Sequence, residues 1–344
     1  MTHLEKIIEF LQYHPGVTRK DMMTSLSLGI GDTQVKRLLA EGVASGEIAT
    51  EGKARATRYF ITPRAQLLRT IDLDTYYAVD VDQRDMQTSY NFELIRSVLP
   101  VVDIFTKDEC EFLSHCANSF RARMKEYPSE LYEKEMERLG IDLSWKSSEI
   151  EGNTYTLLET VNLLKDKIEA KGKKREEATM LLNHKEALKA ILECPAYFKQ
   201  LSRAKIEDVH SMLINELGVA RSLRHIRVGI SGTRYRPLEV ESQIVEAITD
   251  FCQLVNGKQN PYEQALLTLL LLAYIQPFTD GNKRTSRLMA NALLISNGLC
   301  PLSFRSVEAN DYRAALLLFY EQNNLSAFKR IFLEQVAFSL KEYF

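Results

Sequence analysis

The chain lacks every cysteine pairing that would staple a small fold or cage a metal. Its five cysteines stand at 110, 116, 194, 252 and 300, with no CxxC spacing. A dispersed, odd set of this kind reads as reduced thiols of a cytoplasmic protein, not as a disulfide framework. An excess of one charge is also missing: 44 Lys and Arg face 46 Asp and Glu, a net charge of −2. No global field therefore draws the chain to nucleic acid or to a membrane surface, and any such partner needs a local patch. Long hydrophobic runs are absent too. The longest, ALLTLLLLAYI at 265–275, falls well short of the roughly 20 residues a spanning helix needs. The opening MTHLEKIIEFLQ carries charges within its apolar stripe and reads as an amphipathic helix, not a signal peptide. What the chain does have is size: 344 residues, 45% of them hydrophobic, enough for one large core and a small accessory domain.

Residues 1–63 form a pattern of their own. Leu4, Ile7, Ile8 and Leu11 give a first helical stripe, closed by His14-Pro15-Gly16. Thr18 is placed to cap a second helix, and Asp32 or Thr33 to start a third. Two short stretches, GEIATEG and ARATRYFI, then read as a hairpin around the basic turn Lys53–Arg55. Three helices and a hairpin in this space resemble a winged helix-turn-helix, which implies a DNA or protein partner for residues 1–63. These residues hold eight Lys and Arg against seven Asp and Glu, so charge alone does not choose between the two. Residues 64–104 read as a linker or extension with tyrosine anchors in DTYYAVD and TSYNFEL. From 105 to 344 apolar residues recur at three and four, the mark of a mainly α domain. The exception is RHIRVGISGTRYRP at 224–237. Its alternating Ile226, Val228 and Ile230 and its Ser231-Gly232 turn predict a β-hairpin flap.

The most informative run is Tyr274-Ile-Gln-Pro-Phe-Thr-Asp-Gly-Asn-Lys-Arg-Thr-Ser-Arg287. Asn260 and Pro261 open an apolar helix before it, and that helix is hydrophobic nearly all round, so it should be buried. Pro277 stops it. Asn282 is placed to cap a second helix running to Ser296. The pattern is core helix, glycine-containing turn and helix N-terminus, where unpaired N–H groups and partial positive charge attract anions. Arg284 and Arg287 share a face of that first turn. Cations there oppose the helix dipole, which structure alone explains poorly and phosphate ligation explains well. Asp280 adds a carboxylate suited to Mg²⁺ beside phosphates. A salt-bridged turn with no ligand is the plainer alternative.

At these residues the sequence resembles the Fic family, whose motif reads HxFx(D/E)(G/A)N(G/K)RxxR. Here it stands as Gln276, Phe278, Asp280, Gly281, Asn282, Lys283, Arg284 and Arg287 with every spacing kept. The resemblance implies a helical core that binds ATP with Mg²⁺ and transfers AMP to a protein Ser, Thr or Tyr hydroxyl. Carried over, Asp280 holds Mg²⁺, Gly281 and Asn282 line the anion hole, and Lys283 belongs to the cofactor-binding set. Arg284 and Arg287 take the β- and γ-phosphates, and Phe278 packs the loop. The 224–237 flap resembles the family's hairpin that aligns a target protein by strand addition.

Gln276 stands where the family has its general-base histidine. An amide has no useful basicity near neutral pH, and losing a positioned base costs about 10²–10⁴ in rate. None of the six histidines lies in the loop, and His225 at the flap's base is the one named substitute. Lys283 also occurs in the Doc branch, which uses ATP as a phosphate donor, but Doc loops carry alanine where Gly281 stands. Upstream, Ser147, Glu151 and Gly152 form an SxxxEG pattern that resembles the inhibitory motif of Fic proteins. The resemblance implies an inhibitory helix around 144–152 whose Glu151, in its last turn, pairs with Arg287. Three readings follow: an autoinhibited adenylyltransferase impaired by Gln276, a catalytically dead ATP-binding regulator acting through residues 1–63, and a Doc-like phosphotransferase. A homodimer is compatible with all three.

Overall fold

A computed structural model describes residues 2–344. The first helices are set by their caps. Thr2 and Glu5 form a capping box on α1 (His3–Tyr13), and Thr18 with Asp21 forms another on α2 (Arg19–Ser25). The third helix, α3 (Asp32–Ala44), starts at Asp32. Strands β1 (Val17–Thr18), β2 (Ile48–Glu51) and β3 (Arg58–Ile61) pair antiparallel in the order β1-β3-β2, with Ile48 opposite Ile61. Ile7, Ile8, Leu11, Met22, Leu28, Val35, Leu39 and Ile48 close a small core of their own. The expected hairpin over GEIATEG and ARATRYFI is therefore formed.

A strap follows, with α4 (Pro63–Leu68) and α5 (Leu73–Tyr77). Its tyrosines anchor it as the sequence suggests. The Tyr76 hydroxyl donates to Glu321, the Tyr77 hydroxyl to the Ala314 carbonyl, and the Tyr90 ring stacks on Tyr274.

The body is helical: α6 (Lys107–Glu126), α7 (Ser129–Glu149), α8 (Leu157–Asp166), α9 (Arg175–Glu193), α10 (Arg203–Leu213), α11 (Glu241–Gly257), α12 (Pro261–Ile275), α13 (Asn282–Ser296), α14 (Ala309–Gln322) and α15 (Ser326–Tyr343). At its centre α12 is buried from Ala265 to Ile275 on every side, as an all-round apolar helix must be. It packs against α11 and α13. No helix among the described residues is long and apolar enough to cross a membrane, and all five cysteines are free.

Three local expectations need correction. Asn282 does not cap α13: the cap is Gly281 at φ +82°, and Asn282 begins the helix. Its side chain turns back to the loop instead. Glu151 does not lie in the last turn of α7, which ends at Glu149. It sits in the closing turn, where Gly152 takes φ +96° and the Gly152 and Asn153 N–H groups return to the carbonyls of Glu149 and Ser148. The third concerns 224–237. The turn at Ser231 and Gly232 forms, but its arms build no strand pair. Carbonyls that a ladder would satisfy accept from arginines: Ile226 and Leu238 from Arg224, and Gly232 from Arg84. Arg236 instead bridges to Ser89 of the strap.

Candidate active site

The site grows out of the way α12 ends. Gln276 adopts a left-handed conformation at φ 51° and ψ 59°, which turns the chain sharply out of the core. The loop it enters is held by one side chain. Asn282 Nδ2 donates to the Phe278 carbonyl at 2.8 Å and to Gln276 Oε1 at 2.9 Å, while its Oδ1 accepts from the Phe278 N–H at 2.8 Å. Gln276 Nε2 in turn donates to the Ala273 carbonyl at 2.6 Å. Both ends of the Gln276 amide are thus committed within the loop.

The loop's other wall was not foreseen. His210 on α10 stacks on Phe278 with centroids 3.6 Å apart and planes 4° from parallel, and its Nε2 donates to the Asp280 carbonyl at 3.0 Å. Burial pushes its imidazole below the ordinary value, and the Arg284 charge adds to this, so the ring is neutral. Gly281 closes against the same wall: a Cβ there would meet Ile214 at 3.3 Å and the His210 ring at 3.4 Å, besides requiring a left-handed backbone.

Above the loop stand the cations. Arg284 is buried, and its Nη2 lies 3.0 Å from Asp280 Oδ2. Its Nε and Nη1 are buried without a partner among the described residues, as is Nη1 of Arg287. Arg287 is wholly buried. Its Nε donates to Ser147 Oγ at 2.8 Å and its Nη2 to the Ser147 carbonyl at 2.7 Å and to Glu151 Oε1 at 2.9 Å. Glu151 Oε2 accepts from Lys283 Nζ at 3.0 Å. Burial pushes the Glu151 carboxyl up, but Arg287 and Lys283 outweigh it and hold the group below its ordinary value. For Arg287, burial favours loss of the proton, and Tyr312 and Glu151 outweigh it, so the guanidinium holds its charge. Behind them His184 is held to about 3 by burial and by the two arginines, a neutral imidazole where a third cation would repel. Its Nδ1 meets Ser144 Oγ at 3.2 Å.

The structure therefore brings together Ser147, Glu151, Gln276, Phe278, Asp280, Gly281, Asn282, Lys283, Arg284 and Arg287. Lys283, expected to bind a ligand, donates here to Glu151, the same carboxylate that holds Arg287. One expectation changes. His225, named as a substitute base, faces the surface and pairs with Glu241 at 3.1 Å. Arg224 beside it makes the contact with the loop: its Nε donates to the Gln276 carbonyl at 2.6 Å. His184, His210 and Arg224 were missed, since nothing in their helical or alternating context marks them as partners of a loop distant in sequence.

The geometry suits a polyanion. Three buried guanidinium nitrogens lack partners, the Asn282, Lys283 and Arg284 N–H groups that open α13 have no acceptor among the described residues, and burial strengthens every charge–charge term. The Asp280 side chain is 63% exposed, accessible to a cation carried by that anion. No cluster of three His, Cys, Asp or Glu side chains that could cage a metal alone occurs among the described residues. One carboxylate with phosphate oxygens is the usual way Mg²⁺ is held.

Residues 200–294 match the Fic/DOC family. The chain is 33% identical over 175 residues to a protein adenylyltransferase Fic of Nematostella vectensis, covering 49% of this chain and 40% of that one. It is 28% identical over 174 residues to protein adenylyltransferase fic-1 of Caenorhabditis elegans, covering 48% and 34%. The match thus spans well under half the length of these relatives. Among solved structures, C. elegans Fic-1 aligns with a TM-score of 0.57 at 20% identity over 69% of this chain and 71% of that one. A Fic domain containing signaling protein of Bacteroides thetaiotaomicron aligns with 0.57 at 17% over 67% and 94%. The fold is that of Fic-domain structures, and the sequence matches support a Fic family protein.

Proposed function

We propose that the chain binds ATP with Mg²⁺ at the α12–α13 loop and is built to transfer AMP to a protein hydroxyl, with Glu151 holding the site closed. The observation that carries this reading is the pair of buried guanidiniums at the start of α13, three of whose nitrogens have no partner among the described residues. Arg284 and Arg287 would take the β- and γ-phosphates, and the first N–H groups of α13 would line the anion hole. Asp280 would hold the Mg²⁺, which supplies charge neutralisation at the phosphates. In the transfer, a target hydroxyl oxygen forms a bond to the α-phosphorus, the bond from that phosphorus to the bridging oxygen breaks, and pyrophosphate leaves. The hydroxyl proton has no positioned acceptor, because Gln276 is an amide, so it passes to water. Glu151 competes for the same Arg287 guanidinium that the γ-phosphate needs.

Calorimetry on the full chain tests this. ATP binding is expected, tighter after Glu151→Gly, and weakened by Arg284→Ala by about 1.5–3 kcal/mol, the worth of a charged hydrogen bond. Absence of ATP and ADP binding in both the native chain and Glu151→Gly would defeat the reading.

The closed hydrogen bonding of Gln276 favours a second reading, an ATP-binding regulator that does no chemistry and acts through residues 1–63. We propose that those residues are a winged helix-turn-helix domain, followed by a linker over 64–104 and the Fic domain from 105. Exposed Lys36 and Arg37 on α3 are its candidate contacts with DNA or a protein. Binding of duplex DNA that falls steeply with salt separates these partners. A Doc-like phosphotransfer is disfavoured, since Gly281 stands where Doc loops carry alanine.

A further inference from the structure

A buried polar atom without a partner is costly, and a native fold keeps few of them. Two belong to neighbouring side chains in the floor of the site. Tyr312, in the first turn of α14, is wholly buried. Its hydroxyl has no partner among the described residues, and neither has Nη1 of Arg287. The Arg287 guanidinium carbon stands 5.4 Å from the centre of the Tyr312 ring, close enough for a cation–π contact. Phe304 and Phe328 hold that ring edge-on, at centroid distances of 5.8 and 5.0 Å. Burial pushes the phenol up and the nearby Arg287 charge offsets this only in part, so the group is a neutral hydroxyl. It can accept as well as donate.

The rest of the guanidinium is occupied. Nε and Nη2 both reach Ser147, and Nη2 also reaches Glu151. The turn of α14 that carries Tyr312 bears on Glu151 as well. Arg313, the next residue, donates from Nε to the Ile150 carbonyl at 2.9 Å. One helical turn thus holds both the peptide group leading into Glu151 and the ring lying on the arginine that Glu151 pairs with.

We infer that Tyr312 is a positioning residue for Arg287. Its ring holds the guanidinium plane, and its hydroxyl accepts from Nη1 once Glu151 has released Nη2, so the arginine stays in place for a terminal phosphate. The inference rests on the ATP-binding reading of the site. With Glu151 gone, Arg287 loses the one carboxylate paired with it among the described residues. Ser147 then holds it by one edge only. A second contact through Nη1 fixes the plane of the fork, and a fixed fork gives up less freedom when it binds.

A rival acceptor stands on α9. The Ser144 hydroxyl donates to the Gly140 carbonyl at 2.7 Å, which leaves His184 Nδ1–H as the donor to Ser144 Oγ at 3.2 Å. That tautomer makes Nε2 a bare acceptor, buried and without a partner among the described residues. Tyr312 is preferred because its ring lies on the guanidinium.

The test is calorimetry of ATP and of ADP, each with Mg²⁺, on full chains that keep Gln276. The Glu151→Gly chain is the reference. Adding Tyr312→Phe keeps the ring and removes the hydroxyl. It should weaken ATP about tenfold, the lower end for a hydrogen bond to a charged group. ADP should bind as before, since it has no terminal phosphate for Arg287, and its retained binding reports an intact fold. Tyr312→Leu removes the ring too and should weaken ATP further, again sparing ADP. In the native chain Arg287 stays with Glu151, so Tyr312→Phe should leave ATP affinity unchanged. That dependence on Glu151 marks a positioning role, because lost packing would act in both backgrounds. Unchanged ATP affinity in the Glu151→Gly/Tyr312→Phe chain, equal losses of ATP and ADP, or the same ATP loss in the native chain overturns the inference. So does an ATP-selective loss from His184→Phe with none from Tyr312→Phe. If the Glu151→Gly chain binds neither nucleotide, the ATP-binding reading itself fails and the role of Tyr312 falls with it.

Discussion

The Arg287 guanidinium and the Glu151 carboxylate, 136 residues apart in sequence, meet at 2.9 Å in the buried floor of the site. Glu151 is fixed there from two sides. The closing turn of α7 sets its backbone, and Arg313 on α14 donates to the neighbouring Ile150 carbonyl at 2.9 Å. A carboxylate just past a helix C-terminus faces an unfavourable dipole. Its position is accounted for by the two cations it bridges, not by the helix that carries it.

Stability should therefore depend on pH through Glu151. Its folded-state acidity is shifted below the ordinary 4.5, so the ion pair stabilises fully above the unfolded value and is lost as pH falls through the depressed one. Glu151→Gln should cost about 2 kcal/mol near neutral pH. That is less than the ~3–5 kcal/mol of removing one partner of a buried pair outright, since the amide oxygen still accepts a bond. In chemical denaturation the gap between native and variant protein should narrow below about pH 4.5. A gap that stays constant from neutral to acid pH would mean the carboxylate charge carries none of it.

Lys283 gives a test by sign. As a phosphate ligand, its removal would weaken ATP binding. As the second cation on Glu151, its removal should loosen the pair and favour the nucleotide. The 3.0 Å contact with Glu151 Oε2 leads us to expect the latter. Lys283→Gly in a Gln276→His background should raise automodification about two- to fivefold, the scale of a partly exposed ion pair. The increase should be smaller than with Glu151→Gly, because Arg287 remains paired. Weaker ATP binding by Lys283→Gly would return the residue to the ligand set.

Much of this site is legible in the sequence because its chemistry is local. The breakers and caps around α12 and α13, the spacing of Arg284 and Arg287, and the Ser147–Glu151 interval all lie within one or two helical turns. The Thr156–Glu159 capping box also forms where its spacing says. What was not legible is what the fold alone brings near. His210 reads as an ordinary helical polar residue until α10 lays its ring on Phe278. Arg224 reads as an exposed charge in a strand until it is found buried against Gln276. The predicted hairpin failed for the same reason: side-chain guanidiniums satisfy its carbonyls, and alternation alone cannot show that. Asn282 likewise looks like a cap by position, yet its amide serves the loop, and a left-handed glycine starts the helix instead.

The final prediction concerns Gln276 itself. Its left-handed backbone, φ 51°, is one that histidine adopts more readily than most residues, so Gln276→His should be accommodated. The substitution gives up hydrogen bonds to Ala273 and Asn282, at about 1 kcal/mol each. It supplies a base whose ordinary pKa lies near neutrality, worth about 10²–10⁴ in rate when positioned. Alone it should yield little transfer, because Arg287 stays with Glu151 and the γ-phosphate cannot take its place. Glu151→Gly alone should also yield little, because no base is present. Together they should produce far more AMP transfer than the two separate gains predict, since base and phosphate pose serve one transition state. The measurement is label from α-³²P-ATP on the protein itself and on lysate proteins, with the AMP adduct checked by intact mass. If the double variant binds ATP but labels nothing, binding is not coupled to transfer in this chain, and the regulator reading takes over.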